Sequence, residues 1–223
     1  MDDAASRPPQ DGPGGAGQGF QDLMPWRVQD ILLVSSLYDA FTLQEDGQLN
    51  ELILGEVLDL HLHHTPGITH VASGREALAL AREQPRFNLI VTAIQTGDMD
   101  ATELARQVRA AGLDVPVVVL AYDERELNEF VARGETAGIE RCFLWQGDAR
   151  ILIAIVKAIE DQRNAAHDTR TTGVRVILLV EDGIRFYSSF LPTIYTEIIG
   201  QSERVMSEGM NVSHKLVRLR ARP

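Results

Sequence analysis

Short runs of apolar, largely β-branched residues alternate along the chain with longer stretches in which apolar residues recur every three or four positions. The first run, Ile31 to Val34, is continuously apolar, as expected of a strand that helices cover on both faces. Similar runs predict four further strands, at Ile68–Ala72, Leu89–Ile94, Pro116–Leu120 and Arg141–Trp145.

Each predicted strand is followed by a stretch with helical spacing. Ser73 and Glu76 have the spacing of a capping box at the start of one such helix. The other helices are predicted at 49–57, 102–111, 124–133 and 149–162. Five β–α pairs in about 135 residues predict an α/β protein with a doubly wound parallel sheet and right-handed crossovers.

The pattern then begins a second time. Ile177-Leu178-Leu179-Val180 has the same residues as Ile31-Leu32-Leu33-Val34, and a long helical stretch follows from Ile184 to about Arg222. This internal repeat predicts a C-terminal strand and a long helix after the first unit. The predicted organisation is a disordered, Gly- and Pro-rich arm at 1–25, a first unit at 26–163, a linker at 164–174, and the beginning of a truncated second unit at 175–223.

Charge and cysteine content narrow the function classes. The formal net charge of −11 argues against nucleic acid as a partner, because phosphate backbones require a basic surface. The single cysteine, Cys142, excludes an internal disulfide and fits a reducing cytosol. No apolar run approaches the roughly 20 residues of a membrane helix, so a cytoplasmic protein without membrane contact is expected.

Three short motifs, in this order and spacing, resemble those of one family. They are Ala72-Ser73-Gly74-Arg75-Glu76-Ala77-Leu78, Gly97-Asp98-Met99-Asp100-Ala101-Thr102-Glu103-Leu104, and Gly138-Ile139 before the fifth strand. Residues 28–163 thereby resemble the receiver (CheY-like) domain of bacterial two-component response regulators. The resemblance implies the flavodoxin-like strand order 2-1-3-4-5 and a role in phosphorelay signal transduction.

The same resemblance assigns chemical roles to positions at the ends of the strands. In receivers an aspartate after the third strand accepts the phosphoryl group, and an acidic pair after the first strand helps hold Mg²⁺. A hydroxyl and a lysine follow the fourth and fifth strands. Here the acceptor position falls on Ala93, the acidic pair on Ser35 and Ser36, the hydroxyl on Ala121 and the lysine on Trp145. The first unit is therefore expected to be a pseudo-receiver with no catalytic residue.

The second copy keeps an acidic pair, Glu181 and Asp182, at the position of the receiver's metal-binding residues. We expect this pair to bind Mg²⁺ only if a complete second receiver forms, and no cofactor otherwise. Two alternatives stay open on this basis. As alternatives to the leading hypothesis given next, the chain would be part of a phosphorylatable regulator whose live site is in the second receiver, or the regulatory N-terminus of a phosphoenolpyruvate synthase-like enzyme.

The leading hypothesis is a non-enzymatic module that acts through protein contacts. Expected partners are a histidine kinase or downstream domains of the same polypeptide, and a homodimer is a further alternative. By analogy with the family, the contact surface is predicted on 124–133, 141–145 and 149–162. Tyr122 and Trp145 would occupy the place of the aromatic switch that phosphorylation moves in receivers.

Weaker signals allow other chemistry. The acidic residues Asp39, Asp98, Asp100 and Asp123 flank strand ends, where they could bind a cation or simply cap loops and turns. His61, His63 and His64 suggest a metal site but fit the end of a helix as well. Ser213-His214-Lys215-Leu216 faintly resembles a histidine-kinase phosphorylation box. An insertion at Tyr38–Gln48 is predicted near the carboxyl edge of the sheet.

Overall fold

In the computed structural model of the protein, residues 23–36, 66–134 and 136–207 are described, the side chains of 202–207 excepted. The described residues form five strands and five helices. Several predicted features lie outside them and stay predictions: the arm before residue 23, the insertion Tyr38–Gln48, the first helix with Asp39, His61, His63 and His64, and the stretch around His214.

The five strands form one parallel sheet in the order β2-β1-β3-β4-β5. This order confirms the predicted flavodoxin-like, doubly wound fold, and every strand lies within two residues of its predicted position. The bounds are β1 Asp30–Val34, β2 Gly67–Val71, β3 Phe87–Thr92, β4 Val117–Ala121 and β5 Arg141–Leu144.

Three of the helices begin at a side-chain cap. Ser73, Asp100 and Asp123 each accept a hydrogen bond from the backbone N–H three residues further on, at 3.2, 2.7 and 2.9 Å. Such caps satisfy N–H groups that lack a partner within the helix. The helices are α1 Gly74–Glu83, α2 Ala101–Ala110, α3 Glu124–Ala132, α4 Arg150–Thr172 and α5 Ile184–Ser207.

Alternate residues of each strand pack into different layers. On β1, Ile31 and Leu33 belong to the cluster that contains the apolar side of α4. Leu32 and Val34 point to the opposite face, where they pack with residues of α1 and α2. A central parallel strand must be apolar on both faces for this reason, which explains the continuous run that identified β1.

Helix α4 is longer than predicted, and the predicted linker at 164–174 is wrong for most of its length. The helix continues to Thr172 and ends at Gly173, whose φ of +64° is the left-handed conformation common at helix ends. The polar residues Asn164 and Asp168 belong to the helix and are buried. Their polar side chains form buried hydrogen bonds and do not belong to a solvent-exposed linker.

Those hydrogen bonds hold the chain before β1 in place. Glu160, Asn164 and Asp168 lie four residues apart on α4 and accept hydrogen bonds from the backbone N–H groups of Val28, Trp26 and Met24, each at 3.0 Å. The Asn164 amide also donates to the Trp26 carbonyl at 2.7 Å. The last residues of the predicted disordered arm are therefore docked on the fold, and Leu23 is buried.

The predicted C-terminal strand is not formed in the described chain. Residues 173–183 adopt neither helix nor strand, and the apolar side chains from Val176 to Val180 are between 37% and 82% exposed. A strand needs a neighbouring strand for its backbone hydrogen bonds. The nearer free side of the sheet, at β5, is taken by α5.

Helix α5 agrees with the predicted C-terminal helix and packs against β5 and α4. Leu191 and Tyr195 of α5 are buried in the core cluster around α4. Among the described residues, no helix combines the length and apolar character that a bilayer crossing demands.

Candidate functional site

The residues at the candidate site follow the carboxyl ends of the strands, which lie at one edge of a parallel sheet. Ser35 follows β1, Ala93 follows β3, Ala121 ends β4 and Trp145 follows β5. Backbone hydrogen bonds join neighbours across the sheet: the Ala93 N–H donates to the Val34 carbonyl at 2.9 Å. The Trp145 N–H donates to the Ala121 carbonyl at 2.8 Å. Doubly wound sheets commonly bind ligands at this edge.

All four side chains at these strand ends are neutral, and three of them are small. Ser35, Ala93 and Ala121 are buried, at 0%, 7% and 1% exposure. Within the described residues the Ser35 hydroxyl has no hydrogen-bond partner, whereas its carbonyl lies 3.0 Å from a ring nitrogen of His70. These positions therefore supply no carboxylate and no cation to the edge.

The carboxylate of Asp98, which follows β3 along the chain, binds the first turn of α1. Its two oxygens accept hydrogen bonds from the N–H groups of Gly74 and Arg75, at 2.8 and 3.1 Å. Desolvation raises the pKa of Asp98, but these backbone hydrogen bonds and one from Thr96 outweigh it and lower the pKa below its ordinary value. Asp98 is thus an ionised cap of a helix that lies distant in sequence.

Asp100 and Asp123 have similar local roles, as the caps of α2 and α3. The sequence allows two alternatives for these acidic residues, cation binding and capping. Their hydrogen bonds match capping. Across the described part of the chain, no three His, Cys, Asp or Glu side chains come close enough together to hold a metal ion.

Tyr122 and Trp145 follow β4 and β5 and contact each other. Their ring centroids are 6.5 Å apart with a tilt of 47°. Both are partly buried against the core cluster around α4. The two aromatic residues that the resemblance singled out therefore lie side by side at the carboxyl edge.

Glu181 and Asp182 lie directly before α5, in the segment without helix or strand. A side-chain oxygen of Glu181 accepts a hydrogen bond from the Gly183 N–H at 2.8 Å, and Asp182 is exposed. Whether this pair holds Mg²⁺ stays a prediction.

A second cluster lies where α5 meets β5 and α4, within the contact surface predicted at 141–145 and 149–162; the sequence reasoning missed that α5 packs on it. We call Arg141, Phe143, Leu144 and Asp161 the β5-edge surface. Every one of these residues contacts α5, as detailed below. Its signal in the sequence was the spacing of Ser188, Leu191 and Tyr195, which places them on one stripe of a helix.

Burial at this surface changes the acidity of two groups. Desolvation raises the pKa of Asp161 to about 6, against the opposing effect of a hydrogen bond from Tyr195. Burial and the neighbouring Asp161 raise the pKa of the Tyr195 hydroxyl. On β5, burial also raises the pKa of the Cys142 thiol to about 11, which makes this cysteine a weak nucleophile.

No protein-family model matches the chain. No curated protein matches it either. Among solved structures, the chain is similar to the signal receiver domain of a LuxO repressor protein from Vibrio parahaemolyticus, with 19% identity and a TM-score of 0.44 over 65% of this chain and 98% of that one.

It is also similar to a two-component response regulator from Clostridium difficile, with 20% identity and a TM-score of 0.43 over 61% of this chain and 98% of that one. A third is the response regulator TrrA from Thermotoga maritima in complex with Mg²⁺–BeF, with 16% identity and a TM-score of 0.43 over 59% and 98%. The strand order defines the class of the protein, a doubly wound α/β fold, and its neighbours in structure are response regulator receiver domains.

Proposed function

We propose that the chain is a two-component-type signalling module that acts through protein–protein contacts and whose first unit accepts no phosphoryl group. The observation that carries this proposal is the set of residues at the carboxyl edge. Ala93, Ala121 and Trp145 stand where the receiver resemblance assigns the acceptor, the hydroxyl and the lysine, and Ser35 and Ser36 replace the acidic pair.

Each replacement removes a different requirement of phosphoryl transfer. A methyl group cannot attack phosphorus, and neutral serines give Mg²⁺ a much weaker site than carboxylates do. The developing charge on the phosphoryl oxygens would meet no lysine. The nearby Asp98 and Asp100 would have to give up hydrogen bonds at the starts of α1 and α2 in order to substitute.

Without phosphorylation, the output must come from the surface that the fold holds permanently. The contact between Tyr122 and Trp145 supports this view. The two rings lie against each other at the carboxyl edge, and without phosphorylation no change of charge at this edge would move them. A module of this kind signals by being bound, released or covered.

Titration with beryllofluoride or acetyl phosphate in the presence of Mg²⁺ tests the proposal. Trp145 fluorescence reports on the edge, and intact-mass spectrometry reports on phosphorylation, with an active receiver domain measured in parallel as the positive control. We expect no saturable fluorescence change and no phosphoryl adduct. Saturable binding, or an adduct on residues 26–163, would overturn the proposal.

A second candidate is a phosphorylatable regulator whose live site belongs to a second receiver. The observation that favours it is the repeat: Ile177–Val180 matches Ile31–Val34, the central strand of the first unit, and Glu181 and Asp182 follow directly. Acetyl phosphate treatment of the full-length gene product, with peptide mapping, tests it. An adduct C-terminal to Gly173 would support it, and an unmodified product would count against it.

A further inference from the structure

Strand β5 is the last strand of the sheet, and its free edge is covered by a helix. The Leu144 N–H, which points away from β4, donates to the Ser188 hydroxyl at 2.9 Å, and both groups are buried. An uncovered edge is a template for pairing with another chain, so natural sheets usually cover or interrupt it. Here one serine of α5 satisfies an edge donor.

Polar and aromatic contacts surround this hydrogen bond. The Arg141 guanidinium donates to the Tyr187 hydroxyl and lies 5.0 Å from the centre of the same ring. Phe143 and Tyr187 have ring centroids 5.8 Å apart. The Tyr195 hydroxyl donates to Asp161 on α4 at 2.7 Å.

The helix uses a single stripe for this docking. Ser188, Leu191 and Tyr195 are 3%, 5% and 8% exposed, whereas Phe186 and Phe190 are 57% and 48% exposed. Because 188, 191 and 195 recur at helical spacing, they form one side of α5. The two phenylalanines contact each other outside that stripe, with ring centroids 6.3 Å apart.

The strand pairing of the sheet does not depend on α5. All five strands precede α5 in the sequence, and residues 173–183, which connect it to α4, form neither helix nor strand. Release of α5 would break its own contacts but no strand pairing. Elements held by few buried residues open with less free energy than the global fold does.

We propose that the β5-edge surface is a helix-binding site, that α5 is its ligand within the chain, and that a protein partner competes with α5 for it. The partner's chemistry follows from the docked residues: an amphipathic helix with an aromatic ring, a hydroxyl, a leucine and a tyrosine at the spacing of Tyr187, Ser188, Leu191 and Tyr195. This inference rests on the proposed function for the statement that the module acts by protein contacts, and it adds the site and its control. The chain's own helix thus covers part of the surface predicted from the family, on β5 and α4.

A peptide competition experiment on the full chain tests the site. The probe is a fluorescent synthetic peptide with the sequence of residues 184–207, and its binding is followed by anisotropy. In wild type, the tethered α5 has a millimolar-range effective concentration and excludes the probe. Leu191→Asp places a charge in the docked stripe and should bind the probe at least tenfold more tightly. Phe190→Asp, the matched control on the exposed side, should behave as wild type.

Two further measurements keep the test valid if a variant is destabilised. Amide hydrogen exchange in wild type compares Leu144, whose N–H is bonded to α5, with Trp145, whose N–H is bonded to Ala121 within the sheet. We expect Leu144 to exchange at least tenfold faster. The sole cysteine, Cys142, packs against the same core cluster as Ile184 of α5, and its thiol should label several-fold faster in Leu191→Asp than in Phe190→Asp.

Equal exchange of Leu144 and Trp145 in wild type would show that α5 leaves only on global unfolding, and it would overturn the inference. So would a Leu191→Asp variant that keeps Trp145 protected but does not bind the probe. Neither result depends on phosphoryl chemistry. Saturable beryllofluoride binding would instead overturn the proposed function and leave probe binding unchanged, so the two failures are distinguishable.

Discussion

The backbone amide of Leu144 and the hydroxyl of Ser188 form a buried hydrogen bond between residues 44 positions apart in sequence. It joins the edge strand β5 to α5, a helix that follows all five strands in the sequence. A serine side chain offers both a donor and an acceptor, so it can end a sheet edge without extending it. The hydrogen bond therefore occupies a backbone donor at the β5 edge that would otherwise be open to a further strand.

Ser188→Ala should lower the free energy of unfolding by about 1 kcal/mol, because the buried Leu144 N–H loses its acceptor. The matched control is Ser189→Ala, since Ser189 is the next residue of the same helix and is exposed. Its effect should stay within about 0.5 kcal/mol. Urea unfolding followed by circular dichroism measures both, and equal effects would contradict the assigned role of Ser188.

Asn164→Ala should lower the free energy of unfolding by about 2 kcal/mol, because both the N–H and the carbonyl of Trp26 lose their partner. Trp26 fluorescence should shift toward that of an exposed indole. Asn128→Ala is the control, as Asn128 is an exposed asparagine on α3. A loss no larger than that of the control would mean that the segment before β1 is held by other contacts.

The pH dependence of stability should differ between wild type and Asp161→Asn. Burial raises the pKa of Asp161 to about 6 from its unfolded value of 3.8. The folded protein therefore binds the proton more tightly, and this stabilisation is complete below pH 3.8 and lost as the pH rises through 6. Relative to the variant, wild type should lose about 2 kcal/mol between pH 4 and pH 7. Parallel stability curves would contradict the assignment.

Gly138→Ala should be more destabilising than Gly134→Ala, although both glycines have a positive φ, of +99° and +69°. A Cβ at Gly138 would lie 3.2 Å from the Cβ of Ala105 on α2, whereas a Cβ at Gly134 would meet nothing within 4 Å. We expect losses of about 3 and about 1 kcal/mol in thermal or urea unfolding. Similar losses would show that α2 moves freely away from the loop.

The strands and helix starts could be predicted from the sequence because their causes are local. A run such as Ile31–Val34 is apolar toward both faces of the sheet. Its own side chains therefore identify a strand that is covered on both faces. Ser73 with Glu76 marks the start of α1, and the observed hydrogen bond from the Glu76 N–H to Ser73 confirms the cap. Gly112, with a φ of +71°, follows α2 in the left-handed conformation that glycine adopts readily.

The linker and the C-terminal strand could not be predicted correctly because their causes are long-range. Asn164 and Asp168 look like solvated residues until the backbone of Trp26 and Met24 is placed beside them, 138 and 144 positions away. The run Ile177–Val180 has the composition of a central strand, yet α5 occupies the edge of the sheet at β5. Sequence periodicity indicates which faces of a helix or strand must be buried. It does not show whether a neighbouring element is in place to bury them.

The three polar residues of α4 that hold the segment before β1 imply a match between two different repeats. Four residues of α-helix advance by about 6 Å, so the three side chains are evenly spaced along the helix axis. Glu160, Asn164 and Asp168 thereby meet every second residue of the segment in step. Since they bind main-chain groups, the segment can change its side chains and stay in register, provided that no proline removes one of the three N–H donors.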